Sequence, residues 1–161
     1  MDDVERALER LYRSEYSRFE AVLAAVTGDR EAARDAVQQA FATALARRSQ
    51  FRGDGSLQGW VWKIALRIAT HRRREAPPAE ATFEPHLAEW SVDGDLADGL
   101  RALSPRRRLF VFLRYFADLS YDEIAQACGV SRGTVAATLA QARAELEPFV
   151  ETRPATGGLK A

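Results

Sequence analysis

Cysteine, histidine and lysine are nearly absent from this chain. A single cysteine, Cys128, excludes an intramolecular disulfide framework and any multi-thiolate metal site. Two histidines, His71 and His86, are too few for a His-rich site, so neither metal nor cofactor is expected. No nucleophile–base pair or phosphate-cradling loop stands out; no catalytic residues are assigned and an enzyme is the least favoured class. No run approaches the ~18–20 uninterrupted apolar residues of a membrane helix. The opening MDDVERALER is acidic and has no apolar h-region. A cytoplasmic protein with no signal peptide and no membrane insertion is therefore expected.

What is present points to helices. The 161 residues give room for one ordinary domain or two very small ones. Hydrophobic residues are 47% and charged residues 29%, a soluble globular balance. Alanine is abundant, and 21 of the 23 bases are arginine. The formal net charge of zero is a cancellation between segments. Residues 1–46 sum to −3, 47–74 to +7, 75–100 to −7 and 101–161 to +3. Such blocks suit a polyanion-binding surface beside a solvated linker. A basic helix face paired with its own acidic tail is the plainer alternative.

Apolar positions recur at three- and four-residue steps through Val4, Leu8, Leu11, Phe19, Val22 and Val26, predicting a helix over 2–26. Thr27-Gly28 stops it and Asp29 caps a second helix that ends near Ser49. Ser56 caps a third, whose apolar face is Leu57, Trp60, Val61, Ile64 and Ile68 and which ends in the run near Arg74. Lys63, Arg67, His71 and Arg74 share another face of it; a basic helix end complementing the macrodipole is the structural alternative. The acidic stretch that follows holds three prolines and no base, and reads as a linker with Phe83, Leu87 and Trp90 available for docking. Four short helices are predicted next, over 96–103, 104–117 with Pro105 at its first position, 120–127 with a Ser120/Glu123 capping box, and 131–147. The expectation is an all-α protein of two small helical domains, 1–75 and 96–150, with a linker at 76–95 and a flexible tail at 151–161.

The run YDEIAQACGVSRGTVAATLAQA has helix-turn-helix form. Ala125 is small where the helices approach, Gly129 suits a left-handed turn, and Val135 packs the second helix on the first. Ile124, Cys128 and Val130 fill the other apolar positions, so Cys128 reads as a core residue rather than a reactive thiol. A simple helical hairpin is the alternative.

With that motif, GDREAARDAVQQAF and FRGDGSLQGWVWKIA, the chain resembles the extracytoplasmic-function sigma factors of bacterial RNA polymerase over about 110 of its residues. The resemblance implies a non-enzymatic promoter-specificity subunit that binds core RNA polymerase and promoter DNA and is commonly held by an anti-sigma factor or other regulator. It implies polymerase contacts at Asp35, Val37, Gln38 and Phe41. It implies −10 contacts at Phe51, Arg52, Ser56, Trp60, Lys63, Arg67 and His71, where aromatic residues stack on unpaired bases and cations track phosphates. Trp60 also sits on the apolar stripe. The −35 set is Arg106, Arg114, Ser131, Arg132, Thr134, Thr138 and Gln141. Arg107 and Arg108 are further candidates for backbone phosphates, or else solvated helix surface.

The chain departs from the family pattern at Arg34 and Gln39, where acids are usual, and at Arg67, where asparagine is usual. The recognition helix also lacks the usual bases over residues 136–141. A second reading therefore stands beside the first: a sigma-like interaction protein with weakened −35 recognition that acts through polymerase or a regulator. A plain helix-turn-helix regulator is a third, disfavoured by the N-terminal motifs.

Overall fold

The computed structural model describes residues 2–75, 92 and 94–150. Those residues form seven α-helices and one 3-10 turn, with no strand among them: α1 Asp3–Thr27, α2 Arg30–Ala46, the turn Arg48–Gln50, α3 Leu57–Glu75, α4 Gly94–Ala102, α5 Pro105–Tyr115, α6 Tyr121–Cys128 and α7 Arg132–Val150. Phe83, Leu87, Trp90 and the 151–161 tail, singled out above, lie outside the described residues.

Local capping chemistry fixes most boundaries. Asp2 caps α1 through the Glu5 amide at 2.7 Å, and Gly28 ends it with φ 74°. Asp29 accepts from the Glu31 and Ala32 amides to start α2. Ser56 Oγ takes the Gly59 amide at 2.9 Å, and Ser104 caps α5 with Pro105 following. Ser120 and Glu123 form a full capping box, and Gly129 closes α6 at φ 66°. The second helix stops at Ala46 rather than Ser49 because the chain tightens into the 3-10 turn. Helix α4 begins at Gly94, two residues inside the segment read as linker, and α7 continues to Val150 past Pro148.

The first three helices pack around Phe19, Val22, Leu23, Val37, Val61 and Trp62, all fully buried. Trp62 lies flat on Phe19, with ring centroids 3.9 Å apart and planes 10° apart. The predicted apolar face of α3 needs correcting here. Val61, Trp62, Ala65, Leu66 and Ala69 are the buried residues, whereas Leu57, Trp60, Ile64 and Ile68 are only half-buried. The offset arises because α3 is covered on two sides, by α1 and α2 and by α6. Helices α4 to α7 surround Phe110, Leu113, Leu119, Ile124, Val135 and Leu139.

Arg108 corrects a second expectation. It is 7% exposed and donates to the carbonyls of Leu100, Arg101 and Leu103. The first two belong to the last turn of α4, where carbonyls lack a helical partner, and the third follows directly after it. Arg108 is thus an internal clasp and cannot hold a phosphate.

Candidate functional site

Helix α2 presents Asp35 and Gln38 to solvent. Phe41, 8% exposed, shows one edge beside Leu45, which is 41% exposed. With Leu8 and Tyr12 of α1 they line an apolar groove rimmed by Glu5 and Glu9. Phe41 is held edge-on by Tyr12 and Phe19, at centroid distances of 5.0 and 5.2 Å. Val37 must be corrected: it is fully buried, so it supports this face from beneath and offers no side chain to a partner. Arg34 pairs with Glu20 at 3.0 Å, so the unusual base on this helix is tied back to α1.

The loop before α3 brings Phe51 against Trp60, with centroids 5.4 Å apart and planes tilted by 45°. Both rings are half-buried, so each keeps an open part. Arg52, Lys63, Arg67 and His71 are exposed, the last three on one face of α3 at four-residue spacing. Ser56 is already committed to capping α3. The arrangement joins an aromatic platform to a row of basic side chains, the chemistry that single-stranded nucleic acid requires.

In the helix-turn-helix, Val135, Leu139 and Ala142 anchor α7 and its other faces point outward. Its polar side chains have partners within the protein. Arg132 pairs with Asp122 at 3.0 Å, with both side chains about two-thirds exposed or more. Ser131 accepts from the Thr134 amide and bonds its hydroxyl. Thr138 donates back to the Thr134 carbonyl at 2.7 Å, and Gln141 accepts from Arg107 at 3.0 Å. Arg107 also pairs with Glu145. Arg114 donates to the Leu119 carbonyl and sits over the Tyr121 ring, while Arg106 is exposed above Phe110. An exposed pair such as Arg132–Asp122 contributes only about 0–1 kcal/mol, so Arg132 exchanges readily onto another acceptor.

Burial holds the Cys128 thiol up at about 11, with Arg106 opposing the shift, so the thiolate is scarce at neutral pH. The described residues contain no group of acids, histidines and cysteine that would hold a metal, and no helix long and apolar enough to cross a membrane.

The sequence reading missed Trp62 and the closeness of the two helical units. Trp62 lies one residue beyond the stripe that was followed. The Gln58 side chain donates to the Ala117 carbonyl at 3.4 Å, a contact between residues 59 positions apart that leaves no local signature.

Comparison with known proteins covers both units. Sigma-70 region 2 matches residues 11–76 and Sigma-70, region 4 matches residues 94–146. The RNA polymerase sigma factor YlaC of Bacillus subtilis is 31% identical over 156 residues, spanning 88% of this chain and 90% of the relative. The RNA polymerase sigma-E factor of Streptomyces antibioticus is 30% identical over 129 residues, spanning 75% and 72%. The fold matches the sigma factor RpoE, solved with the anti-sigma factor NepR from Bartonella quintana, at TM-score 0.66 and 18% identity over 92% of this chain and 99% of that one. It also matches CnrH, solved with the cytosolic domain of CnrY, at TM-score 0.65 and 21% identity over 92% and 90%. With its two regions in order on two helical units, the chain belongs to the extracytoplasmic-function sigma factors, which direct bacterial RNA polymerase to promoters.

Proposed function

We propose that the two units divide initiation between them in the cytoplasm, with no catalytic step of their own. The α1–α3 unit binds core polymerase through Asp35, Gln38 and the Phe41–Leu45 groove. It opens and holds the −10 element with Phe51, Arg52, Trp60, Lys63, Arg67 and His71. The observation that carries this reading is the aromatic pair beside the exposed basic row on α3. The α4–α7 unit reads the −35 element through Arg132, with Thr134, Thr138 and Gln141 beside it and Arg106 and Arg114 on the backbone.

The uncharged stretch of α7 favours weak −35 discrimination, leaving promoter choice to the −10 contacts. Ala137 and Ala140 are exposed and suit thymine methyl groups. A regulator fits the same scheme, since the RpoE structure was solved with an anti-sigma factor. Run-off transcription on a randomised promoter library, with core polymerase alone and with this protein added, is the test. Selective transcripts should require the protein, and the Asp35→Ala/Gln38→Ala variant should lose them. A sharp G·C-rich −35 consensus that survives Arg132→Ala would overturn the division of labour.

A further inference from the structure

Among the polar side chains that α7 carries between Arg132 and Arg143, Gln141 is the longest, and it is exposed. Its amide is held in one orientation. Arg107 Nη2 donates to Gln141 Oε1 at 3.0 Å, and Arg107 Nη1 pairs with Glu145, one turn further along α7. A guanidinium carries donors only, so the amide atom it meets must be the oxygen. The Arg107 side chain is 33% exposed and spans both partners on one helix. Its backbone is fixed as well. The Arg107 amide donates to Ser104 Oγ at the α5 cap, and the next residue, Arg108, is clasped to the end of α4. Buried Leu139, Ala142 and Leu146 anchor α7 on its inner side. A hydrogen bond from a charged donor is about twice as strong as a neutral one, so Oε1 stays with Arg107 in preference to a base amine.

That commitment changes what Gln141 can read. A free glutamine recognises adenine with both ends of its amide, Oε1 accepting from N6 and Nε2 donating to N7. With Oε1 held, only the two Nε2 hydrogens are offered to DNA. In the major groove guanine presents acceptors at N7 and O6, and thymine presents one at O4. Adenine and cytosine each present a donor amine there. Resting on the assignment of α7 to the −35 element, we propose that Arg107 is a specificity-determining positioning residue. By holding Gln141 Oε1 it turns an adenine-reading side chain into a reader of keto bases, guanine or thymine. Two of its guanidinium nitrogens are engaged within the protein, so Arg107 acts through Gln141 rather than on a base. Discrimination against adenine at that base pair should be about fivefold, the low end for a base contact.

The first arm of the test needs no DNA. In isotope-labelled full-length protein, the Gln141 Cδ resonance should move in Arg107→Ala, because its carbonyl loses a charged donor. An unmoved resonance would overturn the hold. The second arm uses holoenzyme assembled from core polymerase and the full chain, competed against promoters carrying every single-base change in the −35 element. The base pair read by Gln141 is the one whose preference Gln141→Ala flattens. There the parent should favour guanine or thymine over adenine about fivefold, and Arg107→Ala should abolish or reverse that ratio. In a Gln141→Ala background, Arg107→Ala should change no ratio, which separates positioning from a base contact by Arg107 itself. A parent preference for adenine, or a keto preference that survives Arg107→Ala, would defeat the proposal even where the resonance moves. If no preference depends on Gln141, the proposal falls with the −35 reading beneath it, while the resonance still reports the hold.

Discussion

Arg106 and Arg108 sit two positions apart on α5 and have opposite surroundings. Arg108 satisfies three carbonyls from inside the fold, and hydrogen bonds to a charged group contribute about 1.5–3 kcal/mol each without adding fully. Arg108→Ala should therefore cost about 3 kcal/mol, seen as a lower urea midpoint. Arg106→Ala should leave that midpoint within about 0.5 kcal/mol and reduce the salt slope of DNA binding by about one unit. In sequence the two are indistinguishable members of one Pro-Arg-Arg-Arg run, because only the tertiary position of the α4 carbonyls separates them. Val37 is a similar case: its place in the GDREAARDAVQQAF motif was legible, but its burial depends on α1 and α3. Asp2 adds a pH signature. The Glu5 amide, and then Arg48, hold its carboxyl below the usual value of 3.8. A lowered folded value means the cap is in place above the ordinary carboxylate range and is lost as pH falls through the folded value. The protection of the Glu5 amide relative to its intrinsic exchange rate should fall in acid, and Asp2→Asn, which cannot titrate, should flatten that response.

Elements were legible where their signals are local. The caps at Asp29, Ser56, Ser104 and Ser120 and the stops at Gly28 and Gly129 each lie within four residues of the bond they make, so sequence alone placed them. Helix α3 was legible as a helix but not in its buried face, because period counting assumes one covered side and α3 has two. For α7 the sequence revealed the shortage of charge, while the structure shows how its remaining polar groups are held. Removing the Ser131 hydroxyl should cost about 1 kcal/mol through the lost contact to the Thr134 amide. Arg132→Ala should reduce discrimination at one −35 base pair by about 1–3 kcal/mol with no loss of stability, read by competition binding. Asp122→Ala should leave that discrimination intact, since it only releases Arg132.

At the scale of the whole molecule, the two-unit plan was legible from the charge blocks and the prolines, but the contact between units was not. Gly55, Gly59 and Gln126 carry no pattern that a sequence reader would join across 67 to 71 positions. The buried residues of the two units join into one cluster through the α3–α6 contact, and that join is lighter than the packing inside either unit. Thermal unfolding should accordingly depart from a single cooperative step, with a van't Hoff enthalpy below the calorimetric one. The stacked indole of Trp62 makes this visible by light. Among the described residues, both tryptophans belong to α3 and none to α4–α7. In a Trp90→Phe background, emission would follow the melting of the first unit alone, with Trp62 shielded from quenchers and Trp60 within their reach. Far-ultraviolet dichroism would follow both units, so the two optical midpoints should differ, and a bound DNA strand should perturb only the colour of Trp60.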